Sequence, residues 1–232
     1  MRSFTIDVSQ LQTWKWLEED IVSKLPFLLI AAYLFTTFAS FAADVAPPEN
    51  LVTNADSDLY MSDATYFPAQ GAKAVVWVPG FIFNKESWFP LAKTLQEKGI
   101  ASLAISGKSA NHVRHAIQQL ARRGHLEVIL VGASSGGEAV LNAMEQVTSV
   151  AGVRKVVLLS PVRGNPLDDS EAEKLFIASS DEKAMANVQR LFDGSLEPKS
   201  LYPVEGKAHA QFLLFGENKD KVSSMIIEFI EK

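Results

Sequence analysis

The chain has 232 residues, no Cys, 22 Lys plus Arg against 27 Asp plus Glu, and 47% hydrophobic against 21% charged residues, an ordinary globular composition with a slight apolar surplus. A net charge of −5, with no basic run longer than Arg122-Arg123, argues against a nucleic-acid or anionic-membrane surface. The lack of Cys excludes disulfides, thiolate metal sites and thiol nucleophiles, so covalent chemistry falls to Ser, Thr, Lys, His or a carboxylate; it leaves the compartment open.

Residues 25–43, LPFLLIAAYLFTTFASFAA, carry no charge and as a helix would reach about 28 Å, close to a hydrocarbon core. Residues 1–43 are expected to be an N-terminal extension plus a signal peptide, with Ser40 and Ala42 at the spacing a signal peptidase accepts, or a signal anchor. The 24 residues ahead of the run hold three basic and four acidic side chains, an awkward n-region; translation starting near Val22 would leave a short one carrying Lys24. Lys15 and Lys24 before the run and Asp44, Glu49, Asp56 and Asp58 after it weakly place the C-terminal domain outside the cytoplasm, free or anchored. Residues 44–58, rich in Pro, Asn and Asp, read as a linker, and 59–232 as one domain.

That domain alternates short β-branched runs with amphipathic stretches, the pattern of a doubly wound, mainly parallel α/β sheet. Strands are expected at 74–78, 101–105, 127–131, 155–159, 175–178 and 200–204, the last demoted to an edge by Pro203. Helices are expected at about 85–98, 110–123, 136–147, 182–192 and 221–230, and 59–67 suggests a leading hairpin. No repeat or low-complexity tract interrupts the pattern.

The sharpest local signal is Val128-Ile129-Leu130-Val131-Gly132-Ala133-Ser134-Ser135-Gly136-Gly137, a buried strand entering G-x-S-x-G and then a helix. Reversing a strand into a helix within about four residues strains the central residue, while Gly on either side removes Cβ clashes. Ser134 would then stand at the carboxyl edge of the sheet. The same residues could form a plain Gly/Ser turn or an anion-binding helix start, and Ser135 competes in a looser A-x-S-x-G register.

A serine hydroxyl needs a general base and a group to orient it. His112 and His115 lie one turn apart on a helix and lack a third metal ligand; His125 precedes the nucleophile strand, at the far edge. His209 follows the last strand, at the edge where Ser134 must stand. For the acid, Asp181 follows the fifth strand of the six and gives the chain order Ser134, Asp181, His209 associated with this turn. Asp181 could instead cap the next helix, and Asp168, Asp169 and Glu205 are other nearby carboxylates.

With these residues in place, roughly Leu59 to Lys232 resembles the α/β-hydrolase superfamily, in its capless dienelactone-hydrolase-like or general esterase branch. Val75-Val76-Trp77-Val78-Pro79-Gly80-Phe81 looks like the family's strand and oxyanion turn, and Ser87-Trp88-Phe89-Pro90-Leu91-Ala92 like the start of its first helix. The resemblance implies Ser134 as nucleophile, Asp181 as acid, His209 as base and the backbone N–H groups of Phe81 and Ser135 as oxyanion hole. Two departures stand out: Pro79 replaces the usual His, and about 15 residues between the fourth and fifth strands leave no room for a helical cap. The site should therefore be open and suit small or surface-presented esters.

The implied activity is a serine hydrolase acting on carboxylic esters through an acyl-enzyme. The alternatives are an acyltransferase on the same triad, or an extracytoplasmic binding protein that kept the fold without the reaction. A base that must be neutral makes activity fall on the acid side, since free His titrates near about pH 6.5. Trp77 reads as core, whereas Phe81, Phe83, Trp88 and Phe89 either pack the first helix or line an acyl pocket. No phosphate loop, nicotinamide fingerprint or metal spacing occurs, so no cofactor or metal is expected.

Overall fold

The computed structural model describes residues 45–51, 63–145 and 152–232. The expectations for the extension and apolar run at 1–43, the start near Val22, most of the linker, the first residues of the leading hairpin and the end of the third helix lie outside them. No helix among the described residues is long and apolar enough to cross a membrane.

Among the described residues, eight strands form one sheet in the order β1-β2-β4-β3-β5-β6-β7-β8. They are β1 (Glu49–Leu51), β2 (Ala64–Phe67), β3 (Lys73–Val78), β4 (Ala101–Ile105), β5 (Glu127–Ala133), β6 (Val153–Leu159), β7 (Glu173–Ser179) and β8 (Lys199–Val204). From β4 to β8 every pairing is parallel, and only β2 runs against its neighbours. All six expected strands are present, and Pro203 lies in β8 at the sheet edge, where its missing N–H breaks no ladder. The leading hairpin takes another form: β2 pairs with β1, inside the stretch read as linker. Glu49–Leu51 is too short and polar to announce itself by alternation, and only the open edge of β2 makes it a strand.

The helices are α1 (Phe89–Glu97), α2 (Ala110–Arg122), α3 (Ser135–Glu145), α4 (Met185–Gly194) and α5 (Lys219–Glu231), with 3-10 turns at Lys85–Trp88 and Ala210–Leu214. Ser109 caps α2 by accepting from His112 N–H, and Pro90 sits in the first turn of α1, where a missing N–H costs nothing. Period-2 alternation sends Val75 and Trp77 of β3 to one core, with Leu95 of α1 and Ile226 of α5. Ala74, Val76 and Val78 join the other, with Leu120 of α2, Val140 of α3 and Leu191 of α4. The central strands are thus apolar on both faces, as a doubly covered parallel sheet requires.

Residues 160–172, between β6 and β7, hold neither helix nor strand, so no cap covers the carboxyl edge there. This loop is tied down by Asp169, whose Oδ1 accepts from Glu171 N–H and Ala172 N–H, and by buried Lys174, whose Nζ donates to the carbonyls of Asp169 and Leu196. Burial holds the Lys174 ammonium below its ordinary pKa, with Asp169 and Glu197 opposing the shift.

Candidate active site

The turn after β5 carries the strain its sequence implies. Ser134 adopts φ +51°, a left-handed conformation costly for a non-glycine residue, and its N–H donates to Leu159 O at 2.9 Å. The flanking glycines are needed for space: a Cβ on Gly132 would stand 2.6 Å from Gly136 O, and one on Gly136 2.4 Å from Val78 O. Helix α3 can therefore start at Ser135 hard against the end of β3.

His209, in the segment between β8 and the last 3-10 turn, places Nε2 at 2.9 Å from Ser134 Oγ. On the other side of its ring, Nδ1 lies 2.5 Å from Glu182 Oε2. A carboxylate can only accept, so Nδ1 carries the proton, and the Nε2 lone pair is left to accept from the serine hydroxyl. The Glu182 side chain is 3% exposed and that of His209 38%: the carboxylate is shut away and the imidazole reaches solvent.

The carboxylate that meets His209 is therefore not Asp181, the one the sequence suggested, but its neighbour Glu182. Asp181 is exposed; its N–H donates to Gly206 O, and among the described residues its carboxylate accepts only from Ser180 Oγ. The turn at residues 180–184 delays α4 to Met185, which swings Glu182 inward. Its Oε1 accepts from Ser179 N–H at 2.9 Å and from Ser160 Oγ at 2.5 Å. Ser160 is itself held at φ +45°, and its Oγ accepts from Ala210 N–H at 3.1 Å, so one hydroxyl binds the acid to the loop of the base. Ser179 Oγ donates to Ala208 O at 2.6 Å. Only the adjacency of two carboxylates after β7 could have pointed to Glu182.

The remaining candidates separate cleanly. Ser135 Oγ is buried without a hydrogen-bond partner among the described residues, which leaves it without a base. His125 is buried beside β2, with Nε2 at 2.7 Å from Tyr66 Oη and Nδ1 at 2.8 Å from Gly71 O: it is a core histidine rather than a simple loop residue. His112 lies against Gly107 and bonds Ser109 Oγ through Nδ1 at 2.6 Å. Glu205 is exposed and its carbonyl accepts from Asn218 Nδ2. No cluster of three or more His, Asp or Glu able to hold a metal occurs among the described residues.

Across Ser134 from His209, β3 ends at Val78 and the chain turns through Pro79-Gly80-Phe81. A Cβ on Gly80 would stand 3.3 Å from Ser134 Cβ, so this turn touches the serine directly. Ser135 opens α3, and its N–H belongs to the first helical turn, whose amides have no intrahelical acceptor. The aromatic residues divide: Trp77 and Trp88 stack in the core with centroids 5.1 Å apart, and Phe89 packs on Phe67. Phe81 is 81% exposed; Phe83 stacks on Phe215 at 5.7 Å and meets Phe212 edge-on at 5.2 Å. With Ile82, Phe212 and Phe215 also exposed, one lip of the site is an aromatic shelf.

No family model matches the sequence, and no curated protein matches it. Solved structures do match over most of the chain. An esterase from Exiguobacterium antarcticum is 11% identical with a TM-score of 0.58, covering 73% of this chain and 97% of that one. A dienelactone hydrolase from Anabaena variabilis is 18% identical with a TM-score of 0.61, covering 79% and 97%. A monoacylglycerol lipase from Paleococcus ferrophilus is 14% identical with a TM-score of 0.60, covering 72% and 97%. At these identities the likeness is one of fold: the chain has the α/β-hydrolase fold.

Proposed function

We propose that this protein is a serine hydrolase that cleaves carboxylic esters through an acyl-enzyme, with Ser134 as nucleophile, His209 as general base and acid, and Glu182 as the orienting carboxylate. One observation carries the reading: a continuous hydrogen-bonded chain runs from Ser134 Oγ through His209 to Glu182, at 2.9 and 2.5 Å, from a serine at φ +51°. In this mechanism Ser134 Oγ bonds to the ester carbonyl carbon while its proton passes to His209 Nε2. The carbonyl oxygen becomes an oxyanion between the N–H groups of Phe81 and Ser135. The C–O bond to the alcohol breaks as Nε2 returns the proton to it. Water then repeats the sequence, and the acid leaves. Glu182 holds the ring through Nδ1 and stabilises the imidazolium as it forms.

The three matching structures are titled an esterase, a dienelactone hydrolase and a monoacylglycerol lipase, which supports hydrolysis as the reaction class. The uncapped edge and aromatic shelf favour apolar esters, small or presented at a surface. The uncharged run at 25–43 supports work outside the cytoplasm, free after signal cleavage or anchored. Intact mass of the purified protein tests this, and a product that retains residues 1–21 would overturn a start near Val22.

The decisive experiment is labelling with a fluorophosphonate probe. Wild type and Ser135→Ala should label; Ser134→Ala and His209→Ala should not. A folded wild type that resists labelling would replace this reading with a binding protein on the same fold. Competition between water and an alcohol acceptor, followed by product analysis, separates hydrolase from acyltransferase.

A further inference from the structure

The turn beside Ser134 is held by a residue outside the triad. Glycine is the freest link in a chain, and Gly80 stands where the oxyanion must be met. Pro79 before it locks its own φ but has no N–H and no polar side chain, so it supplies no hydrogen bond that fixes the Gly80 peptide. Gly80 N–H donates to Gln211 Oε1 at 2.6 Å. Gln211 Nε2 donates to Ser87 Oγ at 2.5 Å, and that hydroxyl donates to Asn84 O at 2.6 Å. Gly80 O in turn accepts from Phe83 N–H at 3.1 Å. Both peptides that flank Gly80 are thereby clamped, the one before it by Gln211 and the one after it by the turn.

Gln211 is fully buried and lies two residues beyond His209, after Ala210 at φ +51°. A Cβ on Gly80 would be 3.3 Å from both Gln211 Oε1 and Ser134 Cβ, so glutamine and nucleophile press on the same glycine. A merely structural glutamine could satisfy itself within its own loop. This one instead spends its acceptor on one segment of the oxyanion turn and its donor on the next.

We infer that Gln211 is a positioning residue of the oxyanion hole, which aims the Phe81 N–H through Gly80 and couples that aim to the loop carrying His209. The inference rests on the acyl-transfer reading. An oxyanion donor acts only when it is fixed before the charge develops, and a loose Gly80 would let the Phe81 amide wander.

The test compares 4-nitrophenyl acetate with its thiono counterpart, in which sulfur replaces the carbonyl oxygen and accepts hydrogen bonds poorly. For Gln211→Met, which keeps length and removes both polar atoms, kcat on the oxygen ester should fall about 10- to 100-fold, with KM within about twofold, and the oxygen-to-thiono rate ratio should fall about tenfold. Should that variant not fold, Ser87→Ala loosens the far end of the clamp, and a several-fold fall in the same ratio is expected. A folded variant with the wild-type ratio, or with equal losses on both esters, overturns the inference. A wild type that neither turns over the oxygen ester nor labels with fluorophosphonate overturns the ester-hydrolase reading, and this inference with it.

Discussion

The two sides of Ser134 are built on opposite plans. On the acid side, both Glu182 oxygens are engaged by protein donors, the carboxylate is buried, and Ser160 and Ser179 fasten it to the loop of the base. On the oxyanion side the turn is buried at Gly80, exposed and apolar at its Phe81-Ile82 tip, and held from outside by one glutamine side chain. Under the proposed acyl transfer, the difference follows from what each side does. A charge that persists through the reaction can be solvated permanently by the fold, and a buried charge left short of partners would be costly. A charge that appears only in the transition state needs donors that are still unspent when the substrate arrives.

The largest effect that would break this contrast is exchange of the two neighbouring carboxylates. Glu182→Gln should lower kcat by about 10²- to 10⁴-fold, because the amide can donate where only an acceptor fits and so favours the wrong imidazole tautomer. Asp181→Asn should stay within about twofold, as for an exposed residue. Steady-state kinetics on 4-nitrophenyl acetate would read both, and the reverse ranking would return the acid role to Asp181.

Next in size is a stability effect confined to the saturated side. Ser160→Ala leaves Ala210 N–H and one Glu182 oxygen each short of a partner, which should cost about 1 to 3 kcal/mol in urea unfolding. Ile82→Ser on the exposed lip should change stability by less than about 0.5 kcal/mol. Equal losses would mean that the lip is packed rather than open.

Smaller again is selectivity. Phe83→Ser removes the ring that joins Phe212 to Phe215, so the octanoate-to-acetate ratio of kcat/KM should drop about fivefold, roughly the worth of one lost apolar contact of 1 kcal/mol. An unchanged ratio would separate the shelf from substrate binding.

The smallest expected effect is a pH dependence of the fold alone. Burial, with His115 and Lys108 adding positive repulsion, holds His112 below its ordinary pKa. The unfolded chain therefore binds that proton more tightly than the folded one. This contribution to stability is complete above about pH 6.5 and is lost as pH falls toward the depressed folded value. His112→Asn should flatten the slope of stability against pH in that window while leaving kcat/KM on 4-nitrophenyl acetate at neutral pH unchanged.

The sheet was legible because β3 to β7 are buried on both faces, and burial writes itself as apolar runs. Ser134 and His209 were legible because the elbow and the last loop are placed by chain order alone. Asp181 is not the carboxylate that meets His209, because order fixes a loop and not the direction of a side chain. Which of two adjacent acids turns inward depends on Ser160 and Ser179, donors from two other segments that no local pattern links to position 182. Gln211 was invisible for the same reason: its partner Gly80 lies 131 positions away. Strand β1 escaped notice because three mostly polar residues become a strand only beside an open edge.

That first strand also sets a polarity. β1 runs parallel to the central strands, and Ala46 O just before it accepts from Gln96 near the end of α1, so the chain enters the sheet from its amino edge, opposite Ser134. A bead, a fusion partner or a support coupled ahead of Val45 would grip the molecule by its back. Its Ser134 edge would then face outward, away from the support that holds it.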